Sequence, residues 1–97
     1  MNEACAEKLR DGGCPEFTQH KIQFLSGKNS LESCRKACSS MTACKIIIHG
    51  KVGGGGDGEC GLYKDSARTG CSVKQNEIAK YTMYSVGKCS PNKKGLL

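Results

Sequence analysis

The pattern of apolar and polar positions between residues 29 and 64 predicts a helix followed by two strands. One helix face is predicted by residues that recur at steps of three, four and three: Leu31, Cys34, Cys38 and Met41. Asn29 is the candidate N-cap, with Glu32 placed for a capping box. The opposite face, Glu32, Arg35, Lys36 and Ser39, is expected in water, with Glu32 and Lys36 in the favourable i, i+4 order.

The strands are predicted from β-branched runs and from alternation. Three consecutive isoleucines, Ile46 to Ile48, favour a strand buried on both faces and therefore central in its sheet. A second short strand is expected at 59–64, a moderate one at 18–25, and a last one at 79–86, which alternates well. Residues 6–13 are polar, and residues 65–77 are polar and turn-rich.

The glycine-rich segment 52–58 is predicted to be a flexible loop. It lacks the Gly-Lys-Ser/Thr ending of a phosphate-binding loop and does not open a helix. Asp57 and Glu59 alone do not supply the alternating oxygen ligands of a calcium loop. We therefore expect neither a nucleotide nor a calcium ion here.

Eight cysteines in 97 residues change the interpretation of this thin, aromatic-poor core. A chain of this length is one domain, and an even number of cysteines in so short a chain indicates disulfides formed in an oxidising compartment. Zinc is disfavoured because Cys34 and Cys38 have no second close pair, and His20 and His49 stand alone. No Cys-x-x-Cys redox motif is present. We expect no metal and no cofactor.

The net charge of +6 is spread along the chain and interleaved with acidic residues. A solvated surface is the simpler interpretation, and a patch for an anionic glycan such as heparin is the alternative. Nucleic acid is not expected, because neither a groove-reading motif nor stacking aromatics are evident. The sequence shows no signal peptide, membrane-spanning run or N-glycosylation sequon, and no Ser/His/Asp set, so a non-enzymatic protein is predicted.

The order of cysteines resembles that of a PAN/apple domain, the module found in plasma prekallikrein and coagulation factor XI. The resemblance rests on Cys34-x3-Cys38-x5-Cys44, then Cys60-Gly61-Leu62-Tyr63-Lys64-Asp65-Ser66, then Tyr84 and Cys89. It covers residues 5–89, with residues 1–4 expected to be a lead (Met1 coming from expression) and 90–97 a tail or linker. Phe24-Leu25-Ser26-Gly27 replaces the Gly-x-Asp-Leu turn common before the helix, so ligand preferences carried by that turn do not transfer.

The resemblance implies an α+β fold, a curled antiparallel sheet of about five strands cradling one helix. It also implies the pairs Cys5–Cys89, Cys34–Cys60 and Cys38–Cys44. Cys14 and Cys71 are then left to pair with each other; a swap to Cys14–Cys89 and Cys5–Cys71 stays open.

The resemblance further implies a secreted, non-enzymatic module that binds protein or carbohydrate. The extra cysteine pair and the glycine loop are more similar to modules of apicomplexan (Eimeria-type) microneme adhesins, repeat proteins of cell adhesion and host invasion. The expected partner is another secreted or microneme protein, a host-surface protein or a glycan, and the isolated module is expected to be monomeric. The alternative is a disulfide-rich inhibitor or a heparin-binding module of a contact-phase zymogen.

Candidate ligand-binding residues are placed near the helix and its adjoining loops: Arg35, Lys36, Lys51, Asp57, Tyr63 and Lys64. Tyr63 and Tyr84 are expected to be core or half-buried strand residues more than platforms for sugar stacking.

Overall fold

The computed structural model describes residues 4–88. Its elements are five strands and three short or medium α-helices, with one 3₁₀ turn: β1 (Ala4–Asp11), α1 (Phe17–His20), β2 (Lys21–Leu25), α2 (Leu31–Ser39), β3 (Ile46–Gly50), β4 (Cys60–Tyr63), α3 (Ala67–Gly70), the turn Gln75–Glu77 and β5 (Tyr81–Lys88). Among these described residues, no helix has the length and apolarity needed to span a bilayer.

The five strands form one antiparallel sheet in the order β1-β5-β3-β4-β2. Helix α2 packs across one face, with its main contacts to β1, β3, β4 and β5. The predicted α+β fold of five strands and a cradled helix is therefore confirmed.

The central position predicted for the isoleucine run is confirmed, because β3 pairs with β4 on one side and β5 on the other. Ile47 packs into the cluster beneath α2, which also contains Cys34, Cys60 and Leu62. Ile46 and Ile48 point to the opposite face, where they join a second cluster. Both faces of β3 are thus covered by side chains, as a continuous apolar run requires.

Three disulfides lie within residues 4–88: Cys14–Cys71, Cys34–Cys60 and Cys38–Cys44. The second bonds α2 to β4 through two fully buried half-cystines. The third closes the corner between α2 and β3. Cys5 is also disulfide-bonded, and its expected partner, Cys89, lies outside the described residues.

Helix α2 begins at Leu31, so the residue before it is Ser30 and the predicted N-cap, Asn29, is wrong. Ser30 is the N-cap, and its hydroxyl accepts a hydrogen bond from the Ser33 N–H at 3.1 Å. The Asn29 amide faces the backbone carbonyls of the preceding turn and that of Gly58, at 3.2–3.3 Å. Asn29 therefore joins the turn before the helix to the end of the glycine segment.

The ion pair on the exposed face of α2 differs from the predicted one. The Glu32 carboxylate lies 2.6 Å from the Arg35 guanidinium instead of pairing with Lys36. Arg35 is not a fully solvated residue, because its guanidinium also donates to the Ala4 carbonyl at 2.8 Å. The helix ends at Ser39, two residues before the predicted end at Met41.

Several strand boundaries differ from the predicted ones. Residues 6–13, which were not predicted as a strand, largely belong to the edge strand β1. Residues 17–20 form a helical turn, so the strand expected from residue 18 begins at Lys21. The strands expected at 59–64 and 79–86 are confirmed with bounds of 60–63 and 81–88.

Candidate binding pocket

The sheet face opposite α2 carries a pocket of about 280 Å³. Ile48 and Gly61, on the paired strands β3 and β4, belong to its lining. The remaining lining comes from four different segments of the chain: Gly13, Cys14, Phe17, Lys21, Phe24, Glu59, Tyr63, Glu77 and Tyr81. A volume of this size fits one amino-acid side chain or a single sugar ring better than an extended small molecule.

One wall of the pocket is aromatic and open to solvent. Phe17 is 44% exposed and Phe24 is 47% exposed. The Lys21 ammonium lies over both rings, 4.8 Å from the Phe17 centroid and 5.9 Å from that of Phe24. Both distances are in the range of a cation–π interaction, so the wall already holds a cation from the chain itself.

A β-bulge places Lys21 and Phe24 on the same wall. Residues three apart in a regular strand point to opposite faces. The pairing register of β2 with β4 shifts between Lys21 and Gln23, so one extra residue is absorbed. This extra residue brings both side chains to the pocket face.

The segment that carries Phe17 is tied to residues 71–72. The Cys14–Cys71 disulfide fixes the segment that precedes α1. The Glu16 carboxylate accepts hydrogen bonds from the Ser72 N–H at 2.8 Å and from the Ser72 hydroxyl. These bonds hold the pKa of Glu16 below its usual value, so the carboxylate is ionised and bonded at neutral pH.

A second part of the lining, the acidic wall, contains the carboxylates of Glu59 and Glu77. The Tyr81 hydroxyl donates to the Glu59 carboxylate at 2.9 Å. The Glu77 carboxylate lies against Gly13, where a Cβ would come within 2.8 Å of its Oε1. Within residues 4–88, the Glu77 carboxylate takes part in no hydrogen bond or ion pair. The pocket thus contains two carboxylates, one of them without a partner in the described part of the chain.

Tyr63 contributes a buried ring and a hydroxyl without a partner. The residue is 6% exposed, and its ring lies over Gly61, where a Cβ would clash at 2.5 Å. Burial, followed by the charges of Glu77 and Glu59, raises the pKa of Tyr63 to about 12. The pKa of Tyr81 is also raised to about 12, first by burial and then by its bond to Glu59. Both hydroxyls therefore remain protonated donors at neutral pH.

The structure distributes the predicted ligand-binding residues over separate places. Tyr63 lines the pocket described above. Lys51 and Asp57 line a different groove beside the start of α2, and Arg35 lines a third depression next to β1. Lys36 and Lys64 are exposed. The six residues do not form one site, and their role in binding stays a prediction.

Like Arg35, the candidates Asp57 and Lys51 already have intramolecular partners. The Asp57 carboxylate accepts from the Gly53 N–H at 2.9 Å and lies 3.6 Å from the Lys28 ammonium. The Gly53 bond is the main reason that the pKa of Asp57 is lowered. The Lys51 ammonium lies 3.0 Å from the Asp11 carboxylate. Asp57 therefore stabilises the turn of its own loop.

The two histidines are also engaged within the chain. The His20 Nδ1 lies 2.8 Å from the Ser66 hydroxyl at the surface. The His49 Nε2 lies 2.7 Å from the backbone carbonyl of Asn29, so this nitrogen carries a proton and donates it. His49 thereby supports the same corner that the Asn29 amide holds.

Sequence reasoning missed most of the pocket lining, including Phe17, Lys21, Phe24, Glu77 and Tyr81. The signal that was present is Gly61, because a glycine inside a strand indicates a close approach by another group. Here that group is the Tyr63 ring.

Comparison with protein families matches the PAN domain over residues 5–89. Neither the curated proteins nor the solved structures contain a match to this chain. PAN domains bind proteins or carbohydrates and are not catalytic, and disulfide-rich domains of this kind are typical of extracellular proteins. Since the match covers nearly the whole chain and the fold agrees with it, the chain belongs to the PAN domain family.

Proposed function

We propose that this chain is a binding module of a secreted adhesive protein and that it contacts its ligand through the pocket on the sheet face opposite α2. The main supporting observation is that Phe17 and Phe24 are each nearly half exposed. They line the same pocket as the Glu77 carboxylate and the Tyr63 hydroxyl, which are unpaired among the described residues. Large aromatic side chains at a surface dominate many binding interfaces, because they supply much contact area at little entropic cost.

The wider context is a repeat-containing adhesin that attaches to cells. The cysteine order and the glycine segment, which are similar to microneme modules, support a role in host-cell attachment or invasion. A protein or a glycan on the cell surface is the partner in this proposal.

The heparin alternative receives less support from the distribution of charge. Two carboxylates, Glu59 and Glu77, line the pocket and would repel a sulfated glycan there. In the groove beside α2, Lys28 and Lys51 lie near Asp57 and Asp11 respectively. These lysines therefore present less free positive charge than their number suggests.

The proposal is tested by measuring the binding of the fluorescently labelled chain to cultured animal cells by flow cytometry. The double variant Phe17→Ser/Phe24→Ser should reduce binding at least about tenfold, as expected for the loss of two aromatic anchors. The matched control is Val52→Ser/Val73→Ser, which removes apolar side chains that are 90% and 54% exposed and do not line the pocket.

The control variant should bind as the unchanged chain does, and NMR dispersion should show that both variants are folded. Equal binding by the phenylalanine variant and the unchanged chain would overturn the proposed surface. Binding lost only in the valine variant would place the ligand on another face.

A further inference from the structure

We infer that the pocket takes a cationic side chain, an arginine of a partner protein, which inserts between the phenylalanine wall and the acidic wall. This inference rests on the proposed function, since it assigns the ligand chemistry of the same pocket. Three independent features of the pocket support it: its charge, its unpartnered donor and acceptor groups, and the cation that the aromatic wall already holds.

Within residues 4–88, neither carboxylate of the acidic wall forms an ion pair. Lys21 is the pocket's own cation, but its ammonium lies on the phenylalanine rings. Within residues 4–88 it makes no ion pair with Glu59 or Glu77. The field of both carboxylates reaches Tyr63 strongly enough to contribute to its raised pKa. A ligand that brings positive charge into the pocket would therefore meet two carboxylates that have no ion-pair partner in the described part of the chain.

Tyr63 supplies the second feature, because its side chain is more than nine-tenths buried and lines the pocket. Its hydroxyl has no hydrogen-bond partner among the described residues, whereas Tyr81 is bonded to Glu59. The hydroxyl oxygen is not among the enclosed unpaired side-chain atoms of residues 4–88, so solvent in the pocket reaches it. A bound ligand can replace that solvent as its hydrogen-bond partner. The lone pairs of this hydroxyl and the Glu77 carboxylate can both accept N–H bonds.

The aromatic wall supplies the third feature. The position of Lys21 shows that the two rings can hold a cation at their faces. A guanidinium is planar, so it can stack on a ring while its edge donates several N–H bonds to a carboxylate. A neutral sugar could also stack on the rings, but it would leave the carboxylate charge uncompensated.

Substitution of Lys21 distinguishes a cationic ligand from an anionic one most directly, because the Lys21 ammonium would repel a cationic ligand. Replacing it by glutamine removes the repulsion and frees the phenylalanine faces. Lys21→Gln should therefore tighten the binding of an arginine ligand about threefold. For an anionic ligand, the same substitution should weaken binding, because a favourable charge is lost.

The experiment is a titration of the chain with acetyl-Gly-Arg-Gly-amide, followed by amide chemical shifts in NMR. The neutral probe acetyl-Gly-citrulline-Gly-amide has nearly the same shape without the charge. We expect the arginine probe to shift resonances of residues 17–24, 59–63 and 77–81, with an affinity at least about tenfold higher than that of the citrulline probe.

Glu77→Gln should weaken the binding of the arginine probe about tenfold, because it removes the charged acceptor. The matched control, Glu32→Gln, removes a carboxylate on the helix that is paired with Arg35, far from the pocket. It should leave the affinity unchanged, and unaltered spectra of the free variants outside the substituted region would show that they are folded.

Equal affinities for the arginine and citrulline probes, or weaker arginine binding in Lys21→Gln, would overturn the inference. Shifts at the same residues with neutral monosaccharides, and none with the arginine probe, would also overturn it while supporting the proposed function. If cell binding is insensitive to Phe17 and Phe24, the proposed function itself fails, whatever the probes show.

Discussion

At the scale of single residues, the start of α2 shows two adjacent polar side chains with different tasks. Ser30 bonds to the first turn of the helix, and Asn29 bonds to the loop before it. Both residue types are good N-caps, so the sequence does not distinguish them. The choice depends on Gly58, a residue distant in sequence whose carbonyl accepts from both the Asn29 backbone and its side chain.

Ser30→Ala should lower the free energy of unfolding by about 1 kcal/mol, since it leaves the Ser33 N–H without its cap. The measurement is urea unfolding followed by circular dichroism. Ser39→Ala is the control, because Ser39 is exposed at the helix end and its hydroxyl bonds only to a helical carbonyl. A loss of the same size in both variants would contradict the assignment of Ser30 as the cap.

The hydroxyls of the two pocket tyrosines, Tyr63 and Tyr81, should ionise at a higher pH in the folded chain than in the unfolded chain. The pKa of Tyr63 and of Tyr81 is about 12 in the folded chain, above the unfolded value of about 10. Their contribution to stability is therefore complete below about pH 10 and is lost as the pH rises towards 12. At about pH 11, each folded residue should be roughly one-tenth ionised, against roughly nine-tenths when unfolded.

Absorbance of phenolate near 295 nm, compared between folded and denaturant-unfolded chain at that pH, measures this difference. Tyr63→Phe should remove part of the absorbance gained on unfolding, and it deletes a hydroxyl that makes no hydrogen bond among the described residues. If the absorbance gained on unfolding is the same with and without Tyr63, the assignment is wrong.

At the scale of elements, the glycine segment is more ordered than its composition predicts. Backbone bonds join Lys51 to Gly54, Gly54 to Asp57 and Gly56 to Glu59. Gly56 packs on the Tyr81 ring, and a Cβ at Gly50 would lie 1.6 Å from the Gly56 carbonyl oxygen. Glycine is needed here for close approach of two backbones, a role that composition alone does not reveal.

Gly50→Ala should therefore destabilise the chain by several kcal/mol, on the order of 2–4 kcal/mol, because backbone atoms must move to relieve the clash. The control is Gly87→Ala in β5, where a Cβ meets no atom within 4 Å. It should be neutral or slightly stabilising, since glycine is unfavourable in a strand. Thermal unfolding of the two variants gives the comparison, and equal melting temperatures would contradict the packing described for Gly50.

The elements differ in how much their sequences reveal. Ile46 to Ile48 are predictable because burial on both faces leaves a continuous apolar run. Strand β1 is not predictable from its own sequence, because Glu7 and Lys8 face solvent at the sheet edge. Its extended conformation comes from pairing with β5. The β2 bulge is equally hidden, since period-two alternation would place Lys21 and Phe24 on opposite faces. The pocket is therefore a product of pairing between segments, which no local pattern encodes.

At the scale of the whole molecule, the disulfides compensate for a small core. The two apolar clusters lie on opposite faces of one sheet, and half-cystines belong to both. Cys34–Cys60 has a sequence separation of 26 and Cys38–Cys44 one of 6. Because a longer closed loop removes more entropy from the unfolded chain, Cys34–Cys60 should contribute about 1 kcal/mol more than Cys38–Cys44 to the free energy of unfolding.

Full reduction should unfold the chain, because so small a core does not offset the entropy of ordering the backbone. The measurement is the dispersion of NMR amide resonances in excess reductant. The double variant Cys38→Ala/Cys44→Ala should remain folded and be more stable than Cys34→Ala/Cys60→Ala. Native dispersion after full reduction would show that the apolar clusters alone are sufficient.

The sheet face opposite α2 is the proposed binding surface. Hydroxyl-radical footprinting of the chain, free and bound to cultured animal cells, tests it without any substitution. We expect oxidation of Phe17 and Phe24, both accessible in the free chain, to fall on binding, and oxidation of helix residues 31–39 to stay unchanged. Protection of the helix with undiminished oxidation of the two phenylalanines would show that the ligand binds on another face.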